Sequence, residues 1–506
     1  MKLSELGAGV PPARVLAGPE TEVRRLVQDS RQAGPGDLFV AVRGLRVDGH
    51  DFASAAAAQG AAVALEHEVP LPAGTPTLIL PDTCHRLGQL AAALNGRPAR
   101  GLLMAGVTGT DGKTTVTHAT AHVLNAAGLP TGFLSTVALD AGQGPADNLT
   151  GKTTIEAPAL QEVLAAMLAA GKRAAVVETT SHALVQGRVS GCEFDVAAFT
   201  NVGHDHLDYH DGWEAYLEAK AGLIDLCLHG CFKGVSKTAV LNKDDGSYER
   251  LSGRPIERRL AYSLEREADL RAVDLQLGPE SSRFRLLAGG QAAEVCLRVP
   301  ARFNVANALC ATGICVALGV PLDSIAAGLS SFPGVPGRLE RVDLGQPFRV
   351  YVDFAHAAGA LATTLAELRA VTPGRVFLVF GATPRADHDR PGMGEAAATW
   401  TDWFVITTDD PVDGDPVMAA REVEEGALAA GRRRGRDYEV EPDRRAAICR
   451  AVGLARAGDT VVLTGKGHET WMLVDDRRKE PWDDRVEAAA ALRQAGWSSR
   501  APIATS

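Results

Sequence analysis

Three stretches of the 506-residue chain carry groups of the kind that handle phosphate and metal ions. The first is Gly106-Val107-Thr108-Gly109-Thr110-Asp111-Gly112-Lys113-Thr114-Thr115, which follows an apolar run and opens a helical pattern, the setting a phosphate loop needs. Its glycines let backbone N–H groups approach phosphate oxygens, Lys113 has the reach for β and γ phosphates, and the Thr114 hydroxyl suits a Mg²⁺ shell. The strict pattern has Gly where this chain has Val107. The second stretch is Val177-Glu178-Thr179-Thr180-Ser181-His182, with Gln186 and Arg188 behind it. It falls at the carboxyl end of an expected strand, where open α/β sheets bind ligands, and Glu178 is a candidate Mg²⁺ ligand there. The third runs from Thr200 to His210 and holds His204, His206, His210, Asp205 and Asp208, a density that suits metal or phosphate chemistry. Spacing alone leaves open which histidine acts. Lys220, inside Ala215–Ile224, lies on a helical pattern and on local grounds reads as a surface lysine.

Something must hold these stretches in place. Leu102–Val107, Ala174–Val177, Val196–Thr200 and Ala239–Leu241 read as strands, and Lys113–Ala127 and Asn304–Leu318 as helices. Farther on, Arg349–Asp353, Val376–Phe380, Phe404–Thr407 and Thr460–Leu463 are strand-like, with Ala-rich helical stretches between them. Continuous apolar strands alternating with helices imply parallel sheets covered on both faces. Pro/Gly punctuation at Asn95–Pro98 and Phe332–Gly337 divides the chain into segments 1–98, 99–335 and 336–506. The expected architecture is two α/β domains behind a smaller N-terminal one. The tail after Trp497 is expected to fray.

Composition narrows the function classes. Lys plus Arg number 52 against 62 Asp plus Glu, a net charge of −10, which disfavours a general nucleic-acid binder. Hydrophobic residues at 46% and charged residues at 23% describe a globular chain, not a disordered one. No stretch reads as a membrane span or a signal peptide. The eight cysteines form no CxxC pair, which points to reduced thiols in a cytoplasmic protein and away from a zinc ribbon.

Taken together, GVTGTDGKTT, ETTSHALVQGRV, TNVGHDHLDYH and EAKAGLI resemble the Mur ligase family of peptidoglycan synthesis. The resemblance continues through Phe303-Asn304-Val305-Ala306-Asn307, Gly337-Arg338-Leu339-Glu340-Arg341 and Asp353-Phe354-Ala355-His356. Asp29-Ser30-Arg31 followed by GDLFVAVRG, and the late Gly465-Lys466-Gly467-His468-Glu469, resemble the family's tripeptide-forming MurE type. The resemblance implies a small N-terminal α/β domain that binds a uridine nucleotide, a central P-loop ATPase-like domain and a C-terminal Rossmann-like domain that binds an amino acid. It implies ATP-driven joining of an amino acid to the D-Glu side-chain carboxylate of UDP-MurNAc-L-Ala-D-Glu through an acyl phosphate. A monomer and domain closure on the nucleotide are implied as well.

Roles carry over residue by residue. Gly109, Thr110, Asp111, Gly112, Lys113, Thr114 and Thr115 match the triphosphate loop. Thr114 and Glu178 match one Mg²⁺ site, and His206 the histidine of a second. Lys220 matches a lysine that the family carbamylates, which makes a cation into an oxygen ligand for Mg²⁺. Asn304, Asn307, Arg338 and Asp353 match nucleotide contacts. Ser30, Thr153, Thr154, Thr180, Gln186 and Arg188 match contacts to the UDP-MurNAc-dipeptide. Arg390, Asp409, Asp410, Gly465 and Glu469 match the amino-acid site.

Departures from the family pattern bear on specificity. Enzymes that take meso-diaminopimelate resemble one another in an Asp-Asn-Pro-Arg motif, whose Arg can pair with the distal carboxylate of the substrate. Here the stretch is Asp409-Asp410-Pro411-Val412. Val412 cannot make that pair and Asp410 adds negative charge, so L-ornithine or L-lysine is expected, ornithine ahead. Phe380–Pro391 lacks the usual Gly-Gly-Asp-Arg-Asp run, Ile155 replaces a proline, and Asp111 replaces an asparagine. The alternatives are a meso-diaminopimelate-adding enzyme, a folylpolyglutamate-synthetase-like ligase and a non-catalytic protein of the same fold.

Overall fold

The structure, a computed structural model, describes residues 1–44, 47–203, 205, 209–384, 389–412, 415–475 and 478–498. His204, His206 and Asp208, residues 385–388 of the altered 381–389 loop and the tail from 499 lie outside the described residues. The chain forms two compact units. One holds Met1–Arg271, Leu287–Gln291 and Ala308–Gly328; the other holds Ala272–Leu286, Ala292–Asn307 and the chain from Leu329 onward. Among the described residues no helix is long and apolar enough to cross a membrane, and all eight cysteines are free.

The first unit begins with a five-stranded sheet in the order Arg14–Ala17, Thr77–Ile79, Ala62–Leu65, Asp37–Val40, Arg25–Val27, parallel except for its first pair. The helix Thr83–Leu94 follows, and glycine lets it press close on the rest of the unit. A Cβ on Gly88 would lie 2.1 Å from the carbonyl oxygen of Ser190. One on Gly187, at φ +63°, would lie 2.6 Å from the Cα of His85. Beside them Cys84 donates to the carbonyl of Gln186 at 3.3 Å.

The central sheet is built as the apolar runs predict. From one edge its order begins Ala146–Asp147, Ala138–Asp140, Thr131–Leu134, Ala174–Glu178, Leu103–Thr108, Val196–Phe199, Thr238–Asn242, Arg258–Ser263. The first two of these pairings are antiparallel and the others parallel. Ala174–Glu178 and Val196–Phe199 are buried along their whole length, which explains why they read as unbroken apolar strings. Gly106 serves a packing purpose: a Cβ there would meet Leu223 at 2.7 Å, so its absence lets the helix Gly212–Leu228 lie close over the strand. That approach brings Lys220 to the phosphate loop.

A buried ionic cluster fastens the amino ends of these strands. Asp195 accepts from the Met104 N–H at 2.8 Å and pairs with Lys233 at 2.8 Å and Lys237 at 2.9 Å. Lys233 also donates to the carbonyls of Ala99 and Leu102, which stitches the 98–102 linker to the sheet. Such a carboxylate, satisfied by two cations and an amide, is far more costly to break than to keep.

In the second unit a six-stranded sheet runs Glu340–Arg341, Arg349–Asp353, Thr460–Thr464, Val376–Ala382, Trp403–Thr408, Tyr438–Val440, parallel after its first pair. Asp353, Asp409 and Gly465 all fall at or just past the carboxyl ends of parallel strands, the ligand edge of an open α/β sheet. Strands Ser282–Ala288 and Gln291–Leu297 are hydrogen-bonded neighbours. The first of these alternates buried and exposed residues, as a sheet with one wet face requires.

Candidate functional site

The phosphate loop sits between the strand Leu103–Thr108 and the helix Lys113–Ala126. Gly109 has φ +150°, and a Cβ there would collide with Thr200 Oγ1 at 1.8 Å, so no other residue fits. Gly112 caps the helix at φ +82°. The loop is braced from the neighbouring strand: Thr110 N donates to Asn201 O at 2.8 Å, Asp111 N to Asn201 Oδ1 at 3.0 Å, and Thr200 Oγ1 to Asp111 O at 2.6 Å. The Asp111 side chain is exposed. Thr115 lies in the first turn of the helix, half-buried.

Two lysines converge on the loop. Lys113 Nζ donates to the carbonyls of Gly109 at 3.1 Å and Thr110 at 2.7 Å. Lys220 Nζ donates to the same Gly109 carbonyl at 2.7 Å and lies 4.3 Å above the ring of Tyr216. Only 1% of Lys220 is exposed. Burial, then the charge of Lys113, push its amine well below the usual lysine range. The surface-lysine reading of Lys220 is therefore corrected: the 3.6-residue period puts it on the inner face of its helix.

Glu178 ends the strand Ala174–Glu178 with 2% exposure. It accepts from Thr114 Oγ1 at 3.0 Å, Thr136 N at 2.8 Å and Thr136 Oγ1 at 3.1 Å. Among the described residues its partners are hydroxyls and an amide, with no cation. A buried carboxylate beside a threonine hydroxyl is a hard-oxygen pair that fits Mg²⁺. His206 falls outside the described residues.

A second group gathers around the same strand end. Thr154 Oγ1 donates to Glu178 O at 2.8 Å and accepts from Thr180 N at 3.1 Å. Thr136 Oγ1 reaches Thr153 Oγ1 at 3.0 Å. Arg188 donates to Thr154 O at 2.9 Å and to Gln186 Oε1 at 2.5 Å, and Gln186 Nε2 to Tyr209 Oη at 3.2 Å. Five of the six residues matched to the acceptor thus form one connected patch beside Glu178. Ser30 lies apart in the N-terminal sheet domain, its carbonyl accepting from Gln59 at 3.0 Å; Asp29 beside it is held down at about 2 by Arg31.

The second unit holds the other two groups. Asn304 Nδ2 donates to Pro300 O at 2.8 Å and its Oδ1 accepts from Asn307 at 3.3 Å. Asp353 accepts from Leu339 N and Ala355 N, both at 2.8 Å, and burial raises its carboxyl against the pull of Arg338. Arg338 lies 4.5 Å above the Phe354 ring. Asp409, Asp410 and Glu469 surround the fully buried Lys466 Nζ at 3.7, 2.8 and 2.6 Å. Gly465, at φ +105°, leaves room for Asp409, which a Cβ would meet at 2.3 Å. Burial raises both Asp409 and Glu469, with Lys466 opposing. Burial alone would lower Lys466, but the three carboxylates outweigh it and raise it. Val412 is buried. Arg390 donates to Glu422 at 2.6 Å and to Thr383 O at 3.2 Å.

Three residues here escape motif reading. Thr136 orients Glu178 from 42 residues away. Lys466 stands in a quoted motif, yet nothing local marks it as the hub of three acids. Tyr216 was visible in principle, four residues before Lys220 and so on the same helical face.

The chain matches three models of one family. Residues 22–93 match the model described as Mur ligase family, catalytic domain, residues 107–315 the Mur ligase middle domain, and residues 337–467 the Mur ligase, glutamate ligase domain. The chain is 40% identical over 492 residues to a UDP-N-acetylmuramyl-tripeptide synthetase of Roseiflexus sp. (strain RS-1), covering 94% of this chain and 96% of the relative. The chain belongs to the Mur ligase family. This Mur ligase is also 38% identical over 500 residues to the UDP-N-acetylmuramoyl-L-alanyl-D-glutamate–2,6-diaminopimelate ligase of Geobacillus thermodenitrificans (strain NG80-2), covering 98% and 100% of the two chains. A solved structure of a ligase of that same name superposes with TM-score 0.71 at 29% identity, over 98% of this chain and 100% of the other. Mur ligases are ATP-dependent amide ligases, and this chain is an enzyme of that class.

Proposed function

We propose that this Mur ligase adds a diamino acid without a second carboxylate, L-ornithine ahead of L-lysine, to the D-Glu side-chain carboxylate of UDP-MurNAc-L-Ala-D-Glu. The observation that carries the amino-acid reading is the Lys466 cluster. Three carboxylates share one buried ammonium, which leaves an excess of negative charge at the ligand edge of the sheet. A cationic side-chain end relieves that excess; a carboxylate end adds to it. The buried Val412 supplies no guanidinium to reverse the balance.

The reaction needs a poor electrophile, a carboxylate, to meet another anion, ATP. Gly109 to Thr115 provide N–H donors and Lys113 the cation for the γ-phosphate, and Lys113 must leave its two loop carbonyls to reach it. Thr114, Glu178, His206 and a carbamylated Lys220 are the residues that would hold Mg²⁺, which supplies charge neutralisation when bound. Arg188, Gln186, Thr180, Thr153 and Thr154 orient the acceptor carboxylate beside them, with Ser30 toward the uridine nucleotide. Phosphorylation makes the acyl phosphate, the amine attacks its carbonyl carbon, and phosphate leaves. Asn304, Asn307, Arg338 and Asp353 serve the nucleotide, and Arg390, Asp409, Asp410, Gly465 and Glu469 the amino acid.

A second reading has its own support: the Geobacillus relative and the superposed structure are named for 2,6-diaminopimelate. Phosphate release from ATP with UDP-MurNAc-L-Ala-D-Glu and each of L-ornithine, L-lysine and meso-diaminopimelate separates the two. Turnover with a diamino monoacid and little with diaminopimelate supports the proposal. Preference for diaminopimelate overturns its specificity, and no turnover with any of the three overturns the ligation reading.

A further inference from the structure

We propose that Tyr216 is a positioning residue of the phosphoryl-transfer centre, keeping the phosphate loop and Lys220 in register through the two ends of one side chain. The inference rests on the ligase reading for the identity of the nucleotide. Tyr216 and Lys220 are one turn apart on Gly212–Leu228 and share its inner face. The ring of Tyr216 lies 4.3 Å from Lys220 Nζ, a contact that packs the end of the side chain, charged or neutral, without occupying its N–H groups. Those remain for the Gly109 carbonyl. At the other end the phenol oxygen stands 3.2 Å from Thr110 Oγ1, which in turn accepts from Gly203 N at 2.9 Å. Thr110 is thus held by its backbone to Asn201, by its side chain to Gly203 and Tyr216, and by its carbonyl to Lys113.

The residue type argues the same way. Tyr216 is 1% exposed within the core that carries Phe194, Leu223 and Ile224, a position that a phenylalanine fills as well for packing. A buried hydroxyl costs free energy unless it is bonded, and the Thr110 hydroxyl stands within bonding distance of this phenol. The His210 ring packs against that of Tyr216, centroids 5.2 Å apart and planes tilted by 53°. One rigid side chain therefore fixes loop and lysine relative to each other before nucleotide arrives, the kind of preorganisation that phosphoryl transfer rewards.

The test compares Tyr216→Phe with the unaltered full chain by three measurements: the dissociation constant for ADP, the KM values for ATP and for UDP-MurNAc-L-Ala-D-Glu, and the thermal midpoint. Loss of the phenol oxygen should weaken ADP and raise KM for ATP about three- to tenfold, the range of one net hydrogen bond. KM for the UDP acceptor should stay within about twofold. Unchanged ADP affinity in the folded variant overturns the proposal. So does an equal loss for nucleotide and acceptor together with a lower thermal midpoint, which is what a packing role produces. Tyr216→Leu, lacking the ring as well, should lose turnover beyond Tyr216→Phe; equal turnover of the two overturns the part assigned to the ring. If the unaltered protein binds ADP yet turns over none of the three amino acids, the ligation reading fails while the ADP comparison still decides Tyr216. No ADP binding overturns both.

Discussion

Lys113 and Lys220 donate to one and the same acceptor, the carbonyl oxygen of Gly109, at 3.1 and 2.7 Å. Two ammonium groups on one oxygen repel, and the buried one yields: Lys220 has its amine pushed well below the ordinary range, by burial first and Lys113 second. A neutral amine is the form that adds CO₂. With ¹³C-labelled bicarbonate at neutral pH, the protein should show a carbamate carbonyl signal that is missing in Lys220→Arg. That variant should lose at least about a hundredfold in turnover, as expected when a group acting at the transferring phosphoryl is removed. A signal that persists in Lys220→Arg would place the carbamate elsewhere.

Glu178→Gln keeps the shape of the buried site and removes its charge. Thr114 and Thr136 retain an acceptor, so the fold should survive, with a thermal midpoint close to the parent. The Mg²⁺ concentration for half-maximal activity should rise about ten- to a hundredfold. Activity curves against Mg²⁺ that coincide for the two proteins would remove Glu178 from the metal site.

Gly88→Ala places a methyl group 2.1 Å from the Ser190 carbonyl oxygen. The helix Thr83–Leu94 must then shift away from Gly187, which lies between Gln186 and Arg188. We expect a cost of about 1–3 kcal/mol in stability and a higher KM for the UDP acceptor, with ADP affinity kept. Calorimetry and direct ADP titration check the two halves separately. Weakened ADP binding would mean that the disturbance travels farther than this packing contact.

The Lys466 cluster predicts a pH dependence. Asp409 and Glu469 both titrate higher in the fold than in an open chain, burial being the first cause. A raised carboxylate contributes stability that is fully present below its open-chain value and lost as pH rises through its folded value. Lys466 opposes that rise, so Lys466→Met should leave the folded protein destabilised by about 3–5 kcal/mol once the acids ionise. Thermal midpoints measured from pH 4 to 8 should fall more steeply for the variant than for the parent. Parallel curves would show that Lys466 does not carry this load.

The parts of the fold that could be read from the chain were those with local causes. The strand expected at Arg349–Asp353 has those bounds, and the helix expected at Lys113–Ala127 ends at Ala126. Apolar continuity and a Gly-Lys-Thr junction are local signals, and they survive folding. Glu178, Thr154 and Arg188 were picked from one stretch or from a motif, and folding put them side by side. Thr136 and Lys466 were not assigned, because what defines them is distance in space between residues 42 and 56 positions apart. The alternation in Ser282–Ala288, with Arg283 and Arg285 as its exposed positions, is present in the chain but too short to stand out from it.

The glycine contacts between Thr83–Leu94 and the 187–191 segment change how the protein can be divided. Asn95–Pro98 looks like a free tether, and a chimera designed by eye would be cut there. Yet Lys233 fixes the linker just beyond it, and Gly88 fits against a carbonyl contributed from a hundred residues away. A graft of the first 98 residues from a relative must therefore bring the matching 187–191 surface along. The natural unit of exchange is a pair of facing segments, and it does not coincide with any single break in the chain.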